Sequence, residues 1–299
     1  MALTGLQEKT ESVADEHHVP GAAVGIFCDG AEHYAYHGVT SVENPLAVGP
    51  STLFQIGSTT KTYTATAIMA LAEAGEVGLD DRVRGYVPEL QLGDEAAARA
   101  VTVVQLLNHS AGWNGDYFED TGDGADAIAT YVQKMIQLEQ VSPPGAVASY
   151  NNAAYVLAGR LIEKVTGQPY EAATKRLILH PLGCAESFFS AGEVMTRRFA
   201  VGHACKQQQA AVTVARPLLL PRSSAPAGGL FSTARDQIRH ARFHLGQAPA
   251  DMCSAGHRGP GCQQHLRLRV PEATSVPEWR FTATVSPAAR RGTSEPLRW

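Results

Sequence analysis

Leu53-Phe54-Gln55-Ile56-Gly57-Ser58-Thr59-Thr60-Lys61-Thr62-Tyr63-Thr64-Ala65 sets a serine and a lysine three residues apart at the expected start of a helix. Residues three apart share a helix face, so the Ser58 hydroxyl and the Lys61 amine can come within hydrogen-bond reach. Ser58 is then a candidate nucleophile. A helix N-terminus also offers unpaired backbone N–H groups and the positive end of the dipole, both suited to an oxyanion formed by attack on a carbonyl. The spacing alone fits equally an ordinary N-cap serine followed by an exposed lysine. The context on both sides decides between the two.

A chain of 299 residues has room for a large core, in one large or two modest domains. Its hydrophobic content of 44%, charged content of 18% and net charge of −4 describe a globular protein. They argue against a nucleic-acid or polybasic membrane surface. The apolar runs fall far short of the ~20 residues that span a bilayer. The opening Met1-Ala2-Leu3-Thr4-Gly5-Leu6-Gln7-Glu8-Lys9 lacks a basic segment followed by an apolar core, so a cytoplasmic location is expected. Five cysteines, at 28, 184, 205, 253 and 262, are odd in number and include no Cys-x-x-Cys pair. Neither a disulfide framework nor a zinc site is suggested. The histidines are scattered, and His17-His18 falls at the end of a helical pattern instead of at ligand spacing. No metal and no cofactor are expected.

Residues 3–17 have the period of an amphipathic helix, stopped by Pro20-Gly21. Residues 22–28 form a short apolar run, Asp29-Gly30 is a two-residue hairpin signal, and 32–39 carries aromatic residues suited to a returning strand. The helix of Ser58 should bury Ala65, Ile68, Met69, Leu71 and Ala72 and end near Gly75. Beyond it the chain is helical in character, with segments expected at 80–90, 101–107, 126–138, 153–166 and 170–179 and a loop at 108–113. His109 in that loop is expected to serve packing and hydrogen bonding. After Lys206 there is no further lysine, whereas twelve arginines follow. From about 247 onward Pro, Gly, His and Cys interrupt any helical period. Two alternating segments, Leu266/Leu268/Val270 and Trp279/Phe281/Ala283/Val285, fit either edge strands or the chance alternation of an altered reading frame.

Several ordered stretches resemble the serine β-lactamase and penicillin-binding superfamily, in its class C β-lactamase and esterase branch. They are Val19-Pro20-Gly21-Ala22-Ala23-Val24-Gly25, residues 54–65, and the run Val101-Thr102-Val103-Val104-Gln105-Leu106-Leu107-Asn108-His109-Ser110-Ala111-Gly112. Further along come Pro143-Pro144-Gly145 with Tyr150-Asn151-Asn152, then Ile162-Glu163-Lys164-Val165-Thr166-Gly167-Gln168-Pro169, and Ala227-Gly228-Gly229-Leu230-Phe231-Ser232-Thr233. The resemblance covers about residues 5–245. It implies an α/β (α+β) fold, an antiparallel sheet flanked by helices with an all-α region inserted at roughly 80–220. Ser58 would attack an acyl carbonyl, Lys61 would help deprotonate it, Tyr150 would pass the proton to the leaving group, and Asn152 would orient substrate and Lys61. A free lysine titrates near 10.4, so a base working near neutrality needs its pKa lowered by about 3 units, ~4 kcal/mol.

The chain departs from the family pattern at its C-terminus. Family members carry a Lys-Thr-Gly or His-x-Gly motif on a strand well downstream of the Ala-Gly-Gly segment. Here the written match is His257-Arg258-Gly259, early and crowded by Gly and Pro. Two regions are therefore expected: 1–245, a serine hydrolase domain, and 246–299, an atypical tail consistent with truncation or a frame alteration. The function expected is acyl-enzyme chemistry on a small-molecule or peptide carbonyl, whether ester, amide or β-lactam. The alternative is an impaired member that only binds acyl or peptide ligands.

Overall fold

Helix α1 (Leu6–Glu16) leads into a β-hairpin, β1 (Gly21–Cys28) and β2 (Ala31–Gly38), in a computed structural model that describes residues 4–205 and 212–247. The hairpin turn is the one that Asp29-Gly30 encodes. Both residues take positive φ, 51° and 78°, the backbone a two-residue turn needs to match strand twist. Pairing is antiparallel from Gly21 opposite Gly38 to Cys28 opposite Ala31. Gln7 fixes α1 to β2 by donating to the Tyr36 carbonyl at 2.8 Å and accepting from its N–H at 3.2 Å.

Strand β3 (Phe54–Gln55) feeds a tight 3₁₀ turn, Gly57–Thr59, and then α2 (Thr60–Glu73). Ser58 thus lies in the 3₁₀ turn and Lys61 in the first turn of α2, which refines the expectation that one helix begins at Ser58. The helical middle of the chain comprises α3 (Val83–Tyr86), α4 (Glu95–Ala100), α5 (Val103–Leu107), α6 (Ala127–Lys134), α7 (Asn152–Thr166) and α8 (Tyr170–Thr174). Several elements are shorter than their period suggested. The helix expected over 80–90 is one turn, since Pro88 cannot donate to the ladder. The segment expected to be helical over 170–179 changes to a π turn over Lys175–Leu179.

Helix α7 is buried along nearly its whole length and packs against α2, α5 and α6. Tyr63, Ile68 and Leu71 of α2 meet Val156, Leu157 and Leu161 of α7 in one apolar core. The charged side chains of α7, Arg160, Glu163 and Lys164, are paired with one another and with Glu89.

The remaining elements are β4 (Ser187–Phe188), α9 (Ala191–Val194), β5 (His203–Cys205), β6 (Val212–Val214), α10 (Ala225–Gly228), β7 (Phe231–Ser232) and α11 (Ala234–His244). Strands β4, β5 and β6 interrupt the stretch 80–220, which was expected to be all helical. Strand β7 sits between β3 and β4, antiparallel to both, and Leu53, Phe188, Val194 and Phe231 form a second small core there. Buried Asp236 fastens α11 to β4, accepting from Glu186 N, Ser187 Oγ and Arg239 Nη1 at 2.8, 2.9 and 2.6 Å. Helix α11 lies against β1. No helix among the described residues is long and apolar enough to cross a membrane. His257 and nearly all of the 246–299 tail lie outside the described residues.

Candidate active site

Three segments distant in sequence meet at the amine of Lys61. Its Nζ donates to Asn152 Oδ1 at 2.8 Å, to the Ala227 carbonyl at 2.7 Å and to Ser58 Oγ at 3.2 Å. Lys61 itself is only 4% exposed, whereas Ser58 is open to solvent. Each partner is positioned by backbone chemistry. Asn152 is the first residue of α7, just after Asn151, whose side chain caps the helix by accepting from Ala154 N at 2.8 Å. The Asn151 amide also donates to the Trp113 carbonyl at 2.8 Å, fastening the helix start to the loop that follows α5.

Ala227 reaches Lys61 because α10 packs closely on α7. A Cβ on Gly159 would stand 2.2 Å from Pro226 Cγ, so no larger residue fits between the two helices. Thr64 on α2 donates to the Pro226 carbonyl at 2.7 Å, and Thr60 Oγ1 accepts from Leu230 N at 3.2 Å. The Ala-Gly-Gly segment is thereby tied to the same helix that carries Lys61. Gly115 plays a similar part beside α7. Its carbonyl accepts from Asn152 N and Ala153 N, and a Cβ there would meet Tyr150 O at 2.6 Å.

The amine is pulled in two directions. Burial lowers the Lys61 pKa to about 8, opposed by the Asp116 carboxylate, which favours the ammonium. Asp116 reaches it through Asn152, whose Nδ2 donates to Asp116 Oδ1 at 3.3 Å. Nζ also lies 4.9 Å from the ring centre of Tyr150 and 5.6 Å from that of Tyr155, contacts that favour the charged form. Two of the three acceptors around Nζ are carbonyl oxygens that can only accept. When the amine is neutral it must keep its two strong donations to them and turn its lone pair toward the third partner, the Ser58 hydroxyl. The arrangement can therefore take a proton from Ser58.

Of the residues expected from sequence, Ser58, Lys61 and Asn152 come together. Tyr150 is beside them by its ring. It is 51% exposed, and its hydroxyl makes no hydrogen bond among the described residues. His257 lies outside the described residues. Asp116 was not anticipated, because the loop reading stopped at Trp113. Asn114-Gly115-Asp116 carries a turn signal with an acid after it, the trace that marked it. Among the described residues no group of three or more His, Cys, Asp or Glu could hold a metal ion.

The family model described as Beta-lactamase matches residues 6–272. The chain belongs to the beta-lactamase family. As a family member it is 36% identical over 280 residues to penicillin-binding protein 4 of Amycolatopsis lactamdurans, covering 93% of this chain and 72% of that one. It is 28% identical to a β-lactamase of Lysobacter lactamgenus, covering 82% of this chain and 61% of the other. In fold it is similar to an octameric penicillin-binding protein homologue from Pyrococcus abyssi, at TM-score 0.68 and 30% identity over 82% of this chain and 56% of that one. A class C β-lactamase from Rhodobacter sphaeroides gives TM-score 0.66 at 25% identity, over 85% of this chain and 67% of that one. The family member thus has the β-lactamase/transpeptidase fold and spans between about half and three quarters of these relatives' lengths. The match also runs past residue 245, where the expected hydrolase domain was drawn to end.

Proposed function

We propose that this family member is a serine hydrolase that forms an acyl-enzyme on Ser58 from an ester, amide or β-lactam carbonyl. The observation that carries the reading is the geometry at Nζ: two carbonyl acceptors hold the buried amine, and its remaining direction is Ser58 Oγ. Neutral Lys61 takes the Ser58 proton as Oγ bonds to the carbonyl carbon, and the carbonyl electrons move onto oxygen. Ser58 lies at the start of a helical turn, where backbone N–H groups lack intrahelical acceptors. Its own N–H is the first donor to that oxyanion. As the intermediate collapses, the leaving group departs with the proton held by Lys61, relayed by the Tyr150 hydroxyl. Water then cleaves the acyl ester by the reverse use of the same groups. Asn152 keeps Lys61 aimed throughout. No metal or cofactor enters this sequence.

Hydrolysis of a p-nitrophenyl ester and of a chromogenic β-lactam tests the reading. The wild-type chain should turn over at least one of them, and Ser58→Ala should abolish that turnover with circular dichroism unchanged. Turnover that survives in Ser58→Ala would overturn the assignment. Binding of the ester or β-lactam with neither turnover nor acylation of Ser58 would favour the alternative, a chain that only binds acyl ligands.

A further inference from the structure

His109 occupies a backbone conformation that a side chain other than glycine seldom adopts, φ 63°, at a cost of order 1 kcal/mol. Asn108 supports it, its Oδ1 accepting from Ser110 N at 3.1 Å and from Ser110 Oγ at 2.6 Å. The conformation lets one residue hold both chain neighbours of Tyr150. The His109 carbonyl accepts from Ser149 N at 2.8 Å, and its ring Nδ1 accepts from Asn151 N at 3.1 Å. The ring also lies against that of Tyr150, centres 4.5 Å apart and tilted by 35°, and against Tyr155 at 5.2 Å. Among the described residues the Tyr150 hydroxyl has no hydrogen-bond partner, and these contacts and the Lys61 amine orient the side chain.

We propose that His109 is a positioning residue that clamps Tyr150 over Lys61, and that protonation of its ring opens the clamp. The inference rests on the serine hydrolase reading. An Nδ1 that accepts an N–H must hold its lone pair free, so the neutral ring carries its proton on Nε2. A proton added to Nδ1 turns that acceptor into a donor facing the Asn151 N–H, and the bond is lost. The groups that face the ring are Lys61 from α2, Tyr155 from α7 and Tyr150 itself. Among the described residues no carboxylate pairs with it, and Asp116 accepts from Asn152 Nδ2. Burial, then the Lys61 charge, hold His109 below the ordinary 6.5. The clamp is therefore closed at neutral pH and opens as pH falls through that lowered value.

Two protons then limit activity on the acid side, one on Lys61 and one on His109. The slope of log kcat/KM against pH should steepen from one to two at low pH. His109→Asn is the decisive variant, because Asn tolerates positive φ and its Oδ1 stands near the position of Nδ1. It restores the acceptor but not the ring that packs on Tyr150, so it should retain more of kcat at pH 7.5 than His109→Gly does and hold a slope of one throughout. His109→Gly keeps the backbone freedom but loses acceptor and ring. It should lose kcat at least about tenfold with KM for a small ester little changed, as expected of a misplaced proton relay. A readout independent of turnover separates this proposal from the hydrolase reading. In the full-length wild-type chain the Asn151 amide resonance should titrate with the same midpoint as the His109 ring nitrogens, and His109→Asn should abolish that titration. An Asn151 resonance that ignores the ring, or a His109→Asn profile that keeps the second proton, would overturn the clamp. Absence of Ser58-dependent turnover would instead overturn the hydrolase reading and leave the resonance test to decide the clamp.

Discussion

The titration of Lys61 gives the most quantitative expectation. Moving its pKa from 10.5 to about 8 corresponds to about 3 kcal/mol of relative destabilisation of the ammonium. At pH 7 roughly a tenth of the amines are then neutral, against about one in 3,000 for an ordinary lysine. Burial, net of the opposing Asp116 charge, thus raises the available base by roughly 300-fold at that pH. The value of log kcat/KM for an activated ester should rise with slope one from about pH 6.5 and level off near 8. Asp116→Asn is the diagnostic perturbation, because the carboxylate favours the ammonium and its removal should lower the Lys61 pKa further. A charge linked through one amide is worth on the order of 1 kcal/mol before screening, and Asp116 is exposed. The limb should therefore move to lower pH by about 0.3 to 0.7 units at low salt and by less at 1 M salt. A limb centred near 10, or one that Asp116→Asn moves upward, would refute the reasoning.

Three further expectations follow from the packing and charges. Gly159→Ala drives a methyl group into Pro226; unfolding free energy from urea melts should fall by about 1–3 kcal/mol, and ester turnover should fall as well, because Ala227 O retreats from Lys61. Asn152→Leu removes a short bond to Nζ and the link to Asp116; kcat should drop at least about tenfold while KM changes little. His240, buried against Tyr63 with ring centres 3.8 Å apart, has its pKa lowered to about 3 by burial and then by the charge of His244. Its neutral form is favoured in the fold, so the full stability is present above the unfolded value of 6.5 and is lost as pH falls from there toward 3. The loss is on the order of 5 kcal/mol, and melts of His240→Phe between pH 7 and 4 should show it reduced.

Local chemistry was legible in the sequence, and convergence was not. Asp29-Gly30 announced its hairpin because the turn depends on two residues that tolerate positive φ. Gly167 marked the end of α7 for the same reason, with φ 66° at the C-cap. The Ser58 and Lys61 pair was readable because residues three apart on a helical path must be neighbours. Strands β3, β4 and β7 escaped notice, since two residues carry no period. The meeting of Asn152 and Ala227 on Lys61 joins positions 91 and 166 residues away in the chain. No pattern within one segment encodes it, and only the family resemblance put those segments in one site. The Ala-Gly-Gly run entered the sequence reading only through the resemblance, and its contribution here is a carbonyl aimed at an amine. Tyr150 lies with its ring beside Lys61 and against His109, and its exposure could not be read from one segment.

The central claim is that neutral Lys61 takes the proton from Ser58. Peptide-mapped mass spectrometry of the adduct formed with a reactive β-lactam or activated ester, timed across pH 6 to 10 in wild type and Lys61→Met, tests it most directly. The account predicts an adduct confined to Ser58 whose rate in wild type rises through a midpoint near pH 8. In Lys61→Met the adduct should form at least about a hundredfold more slowly, with no such midpoint. Acylation of Lys61→Met at the wild-type rate, or an adduct on any residue other than Ser58, would contradict it.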